Sequence, residues 1–131
     1  MNMALGLGCD RDAPGRTMQQ AIEQALTLAG ARLADVRAVA SIDLKADESG
    51  LAEVAERYGW TIRFYPASQL ATVAVPNPSE TVRKHTGTPS VSEAAAILCA
   101  GAEQTDLLIE KHKLRGPDGR NATVSIARIP Q

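Results

Sequence analysis

The chain has 131 residues, 44% of them hydrophobic and 22% charged, with a formal net charge of −1. That is enough for one domain with a real core. The near-neutral charge gives no footprint for nucleic acid or an anionic membrane, and no apolar stretch approaches the ~20 residues that span a bilayer.

Met1 to Gly8 lacks the basic start and long apolar run of a signal peptide, so a cytoplasmic location is expected. The cysteines, Cys9 and Cys99, form no CxxC pair, and His85 and His112 lie far apart. No zinc spacing results, and neither a metal nor a cofactor is expected. Nor is a structural disulfide expected in a cytosolic protein.

Ala4 to Gly8 is a short apolar run that reads as a first strand, followed by an Asp-, Pro- and Gly-rich loop. Thr17 to Ala29 carries Ala21, Ile22, Ala25, Leu26 and Ala29 on one helical face, with Gly30 as the stop. Val36 to Ile42 is a buried strand by pattern. Ser49 to Tyr58 is a helix with an acidic approach, Asp47-Glu48, that suits its dipole. Trp60 to Tyr65 is a third strand, Ala67 to Ala71 a helical turn, and Thr72 to Val75 a short extended piece.

Asn77-Pro78 then opens a short helix, with Asn as cap, Pro at the first helical position and Gly87 as the stop. Ser90 to Ala100 is an alanine-rich helix whose Ser90 and Glu93 match a capping box. Leu107 to Leu114 and Ala122 to Ile129 flank Gly116-Pro117-Asp118-Gly119 and predict an antiparallel hairpin. The alternation predicts a three-layer α/β/α domain over residues 1–131. Its sheet is mostly parallel, with the hairpin at one edge.

Polar residues gather where strands give way to helices, and such loops form the ligand crevice in open α/β sheets. Gly8, Cys9 and Arg11 follow the first strand, and Asp43, Lys45, Asp47 and Glu48 follow the second. Asp43 is the acid/base candidate. Lys45 is placed to hold a carboxylate or stabilise an oxyanion. The alternative is a solvated, well-capped loop. Asn77, Ser79, Ser90 and Ser92 surround helix starts, whose free amides receive anions. Glu93 is first a capping partner and second a catalytic carboxylate. A nearby helix start lowers the pKa of a thiol, which makes Cys9 a nucleophile candidate. Lys111 and Lys113 share one strand face, which can simply be the solvent side.

In this order the motifs resemble the CobE family of cobalamin biosynthesis, itself similar to the C-terminal domain of CbiG. The resemblance rests on Gly6-Leu7-Gly8-Cys9 with Arg11, Ser41 to Lys45, Asp47-Glu48, Gly50-Leu51, Asn77-Pro78-Ser79, Ser90 to Ala95, Lys111, and Ala122 to Ala127. It implies a role in building the corrin ring. CbiG opens a precorrin lactone and releases acetaldehyde. At 131 residues the chain has no room for the preceding domains of full-length CbiG, so the stand-alone CobE form is expected.

Three readings follow. The first is a module that binds a carboxylate-rich corrinoid or precorrin intermediate and works beside other corrin-pathway enzymes. The second is a lactone hydrolase using Asp43, Lys45 and Glu93. The third is an unrelated anion- or nucleotide-binding domain, against which the missing GxGxxG weighs.

Overall fold

In the computed structural model, which describes residues 1–130, five strands form one mixed sheet. β1 (Met3–Cys9), β2 (Val36–Ile42) and β3 (Ile62–Tyr65) run parallel, connected through α1 (Gly15–Leu28) and α2 (Ser49–Tyr58). Then come α3 (Ala67–Leu70), α4 (Glu80–Thr86) and α5 (Val91–Ala100). The chain closes with the antiparallel hairpin β4 (Leu107–Arg115) and β5 (Asn121–Arg128). The order is β3-β2-β1-β5-β4, so β5 inserts antiparallel beside β1 and leaves β4 at the edge, parallel to β1.

Side-chain size along β1 explains the layers. Met3, Leu5 and Leu7 enter the core that α1 and α2 cover, with Met18, Ile22, Leu51 and Val54. Ala4, Gly6 and Gly8 alternate with them and face α5. β5 repeats the pattern, with Ala122, Val124 and Ile126 on the α1 side. Gly6 has to be glycine, because a Cβ there would overlap the Ser92 carbonyl oxygen and the Ala96 amide of α5. The alanine run of α5 is the complement of that surface: Ala94, Ala95 and Ala96 are fully buried. Burying a Leu or Met side chain contributes roughly 1.5–3 kcal/mol, so the α1/α2 face carries most of the hydrophobic stabilisation.

The observed elements depart from expectation at five places. β3 begins at Ile62 rather than Trp60. Gly59 (φ 70°) reverses the chain, the Trp60 amide donates to Ala55 of α2, and the Trp60 ring stacks on Tyr58 at 4.7 Å. α1 begins earlier, at Gly15 after Pro14, and ends at Leu28, with Gly30 left-handed beyond it. A turn at Ala71-Thr72 and a bend at Val73 follow α3, held by the Thr72 hydroxyl and the Val73 amide on the Gln69 and Leu70 carbonyls, and no strand forms over Thr72 to Val75. The cap of α4 is Ser79, whose hydroxyl accepts the Val82 amide at 3.2 Å. Asn77 is engaged elsewhere. Finally, Ser90 is the N-cap of α5 but makes no capping-box bond, because the Glu93 carboxylate turns to Asn77 instead.

Candidate functional site

β1 is the strand at which the chain changes direction across the sheet. From it the parallel connections run one way to β2 and β3, and the hairpin fills the other side. The carboxyl end of such a strand is where α/β sheets bind ligands. A crevice of about 570 Å³ opens there, between the loop after β1, the start of α5, α4 and the β4–β5 hairpin. Register builds its floor: Gly8 pairs with Thr123, which pairs with Lys113, one row across three strands. Val91 stands over Gly8, whose missing side chain leaves the row open.

Of the residues singled out in the sequence, Gly8, Cys9, Arg11, Lys45, Ser79, Ser92 and Lys111 line this crevice. Asp43, Asp47, Glu48, Asn77, Ser90 and Glu93 do not. Asp43 is exposed at the head of a 3-10 turn over Asp43–Lys45. Asp47 and Glu48 bind Arg11, whose Nη1 lies 2.9 Å from Asp47 and 2.8 Å from Glu48, while its Nη2 donates to the Leu44 carbonyl. Arg11 is therefore anchored in the loop while half exposed at the crevice wall. Glu48 is buried and also accepts the Asp12 amide.

Glu93 is fully buried. Its carboxylate accepts the Asn77 amide at 3.2 Å and the Asn77 side-chain NH₂ at 2.6 Å. The Ser90 hydroxyl is buried without a partner, as is that of Thr88. Ser92 is 2.8 Å from Ser125, which donates in turn to the Glu110 carbonyl.

Several lining residues were not anticipated: Asp10, Thr81, Val82, His85, Thr86, Asn121 and Thr123, together with Lys113, whose strand face could have been the solvent side. Lys113 was legible from alternation with Lys111. Thr81 and His85 sit four apart on one face of α4, a signal that needs the location of that helix before it carries meaning.

Charge gives the crevice its character. Lys45, Lys111 and Lys113 face it, and among the described residues none of the three has a carboxylate within 4.0 Å. Its acidic member, Asp10, is taken up by the Asn121 amide and side chain at 2.8 and 3.0 Å. The Cys9 thiol is pushed up to about 11, chiefly by burial, with Lys45 opposing. α1 starts only at Gly15, too far on to activate it. Burial thus favours the neutral thiol and weighs against the nucleophile alternative.

A groove of about 530 Å³ between α1 and α2 carries Arg16, Glu23, Glu53 and Arg57, charges of both signs. It lies away from the strand ends. The crevice lining therefore suits an anion with several carboxylates, and its one carboxylate, Asp10, is engaged by Asn121.

These features define a three-layer α/β/α domain with a mixed sheet and a cationic crevice at the carboxyl end of β1. The sequence pattern of the family described as "Cobalamin synthesis G C-terminus" matches residues 3–127, and the chain belongs to that family. It is 38% identical over 128 residues to a cobalt-precorrin-5A hydrolase of Priestia megaterium, covering 98% of this chain and 32% of that protein. The chain thus spans about a third of the length of that relative. It is also 38% identical over 111 residues to protein CobE of Sinorhizobium sp, covering 83% of this chain and 71% of that one. Among solved structures it is similar to CobE, described as a protein from the cobalamin (vitamin B12) biosynthetic pathway. The TM-score is 0.82 at 28% identity, over 98% of this chain and 91% of that one. A role in cobalamin biosynthesis follows. No helix among the described residues is long and apolar enough to cross a membrane.

Proposed function

We propose that this chain, acting as a single cytoplasmic domain, binds a carboxylate-rich corrinoid or precorrin intermediate in the crevice at the end of β1. The observation that carries the reading is the set of three lysines, Lys45, Lys111 and Lys113, that line one crevice, none with a carboxylate within 4.0 Å among the described residues. Corrin precursors carry acetate and propionate arms, and ammonium groups without a carboxylate partner suit them. Gly8, Ser79, Ser92 and Thr123 add small polar surface between the charges. The crevice volume suits part of a macrocycle, an edge with two or three arms, rather than the whole ring. Partner enzymes of the same pathway would then meet the exposed remainder.

The test is titration with hydrogenobyrinic acid, followed by recovery of the ligand. Saturable binding, weakened by salt and by loss of the lysines, with the ligand returned intact, supports a binding module. No saturation at any salt concentration removes the reading.

A second reading is hydrolysis of a precorrin lactone with loss of acetaldehyde, favoured by the similarity to the cobalt-precorrin-5A hydrolase. Of the three residues assigned to that reaction, Lys45 faces the crevice, while Asp43 and Glu93 stand outside its lining. Acetaldehyde release from a lactone-bearing precorrin would establish it.

A further inference from the structure

Glu93 is an unusual residue to bury. It is fully buried in the first turn of α5, yet no basic side chain lies within 4.0 Å of it among the described residues. Burial of a carboxylate is costly unless its oxygens are satisfied. Here the helix dipole helps, and both hydrogen bonds come from one residue, Asn77, through its main-chain and side-chain nitrogens. Asn77 itself is exposed and lies outside the crevice.

What Asn77 touches next gives the pairing its purpose. Its side-chain NH₂ also donates to Glu110 at 3.0 Å, and its carbonyl accepts the Lys111 ammonium at 3.2 Å. Two residues on, the Ser79 amide donates to Pro89, closing the base of the α4 excursion. α4 buries none of its own residues, yet supplies Thr81, Val82, His85 and Thr86 to the crevice wall. A residue pinned on Glu93 therefore fixes Lys111 on one side and the approach to α4 on the other.

The geometry points to Glu93 and Asn77 as positioning residues: Glu93, acting through Asn77, sets where the Lys111 ammonium stands in the crevice. Their part in ligand binding rests on the corrinoid reading above; the positioning itself does not. Glu93 is then not a catalytic acid, and Asn77 is not a helix cap.

The experiment has a ligand-free arm and a ligand arm, both on the full chain. In the first, lysines are acetylated with limiting acetic anhydride and read by mass spectrometry, with Lys113 as the internal reference on the same strand. Lys111 is expected to react more slowly than Lys113, and Asn77→Ala and Glu93→Gln to raise the ratio about threefold to tenfold, as expected when a local restraint is released. Asn77→Ala changes an exposed side chain, which keeps the test valid if Glu93→Gln folds poorly. An unchanged ratio in Asn77→Ala overturns the proposal.

The second arm is a double-mutant cycle on hydrogenobyrinic acid affinity. Asn77→Ala and Lys111→Ala are each expected to weaken binding by about tenfold, and the double variant scarcely further, because residues acting as one unit are not additive. Lys111→Arg, which keeps a donor for the Asn77 carbonyl, is expected to retain most of the affinity. Additive losses would overturn the claim that Asn77 acts through Lys111. A wild-type chain that binds no probe but shows the labelling change would retain the positioning and remove the corrinoid reading.

Discussion

Arg11 and Glu48 join the loops after β1 and β2 across a 2.8 Å ion pair in which the arginine is half exposed and the carboxylate is buried. The same guanidinium holds Asp47 and the Leu44 carbonyl, so one side chain fixes the turn that presents Lys45. Arg11→Ala leaves Glu48 buried without its cation. Removing one partner of a buried pair is destabilising, and the exposure of Arg11 makes the expected loss smaller than for a fully buried pair. Thermal or denaturant unfolding measures it, and a midpoint unchanged from the wild type would show that the loop stands without the pair.

The same loop predicts a pH dependence. The Arg11 hydrogen bond and charge hold Asp47 below its usual range. A depressed carboxylate contributes stability that is present above its unfolded pKa and lost as pH falls through the folded value. The Arg11→Ala deficit should therefore be constant at neutral pH and shrink below about pH 4. Stability curves of both proteins from pH 7 to pH 3 decide this; a deficit that grows in acid would contradict it.

Cys9 is predicted to be a slow thiol. Its pKa of about 11 reflects burial, so at pH 8 very little thiolate exists. Iodoacetamide should modify Cys9 at least tenfold more slowly than a free cysteine of ordinary pKa. Because the folded value is raised, the stability from the neutral thiol is present below the unfolded pKa of about 9 and lost as pH rises towards 11. Rapid alkylation at neutral pH would restore the nucleophile reading.

Gly6→Ala should be among the most damaging small substitutions in the chain. The new methyl meets main-chain atoms of α5, Ser92 O and Ala96 N, which cannot rotate aside. Overpacking of this kind costs about 1–3 kcal/mol, and α5 carries Val91 and Ser92 of the crevice, so ligand affinity should fall with stability. Gly8→Ala meets only ordinary contacts at 3.9 Å and should fold normally. Equal stability of the two variants would contradict the packing argument.

These contrasts show what the sequence could and could not disclose. The bounds of β2 and α2 agree with the pattern at both ends, because β2 is a mostly apolar, β-branched run and α2 an amphipathic stripe stopped by Gly59. The hairpin was announced by its turn. Its position beside β1 was not, since order within a sheet is a tertiary property. Seven of the site candidates, Gly8, Cys9, Arg11, Lys45, Ser79, Ser92 and Lys111, line the crevice because strand ends and helix starts converge in this fold class.

Two of the departures share a cause. Asn77 and Ser90-Glu93 each matched a local capping motif, and in each the polar side chain or its partner had a better long-range bond. Local motifs record what a side chain can do nearby, not what reaches it from elsewhere. Trp60 departs for a local reason, its amide hydrogen bond to Ala55 and its ring contact with Tyr58. It stands at the amino end of β3, remote from the crevice, so its fluorescence reports folding rather than ligand.

The most direct test of the central claim compares hydrogenobyrinic acid binding by the wild-type chain and by the Lys45→Ala/Lys111→Ala/Lys113→Ala variant, read in the visible spectrum of the ligand at low and high salt. The account predicts saturable wild-type binding that weakens as salt rises, affinity lower by about a hundredfold or more in the triple variant, and ligand recovered intact. Wild-type affinity retained in the folded triple variant, or no wild-type binding at low salt, would contradict it.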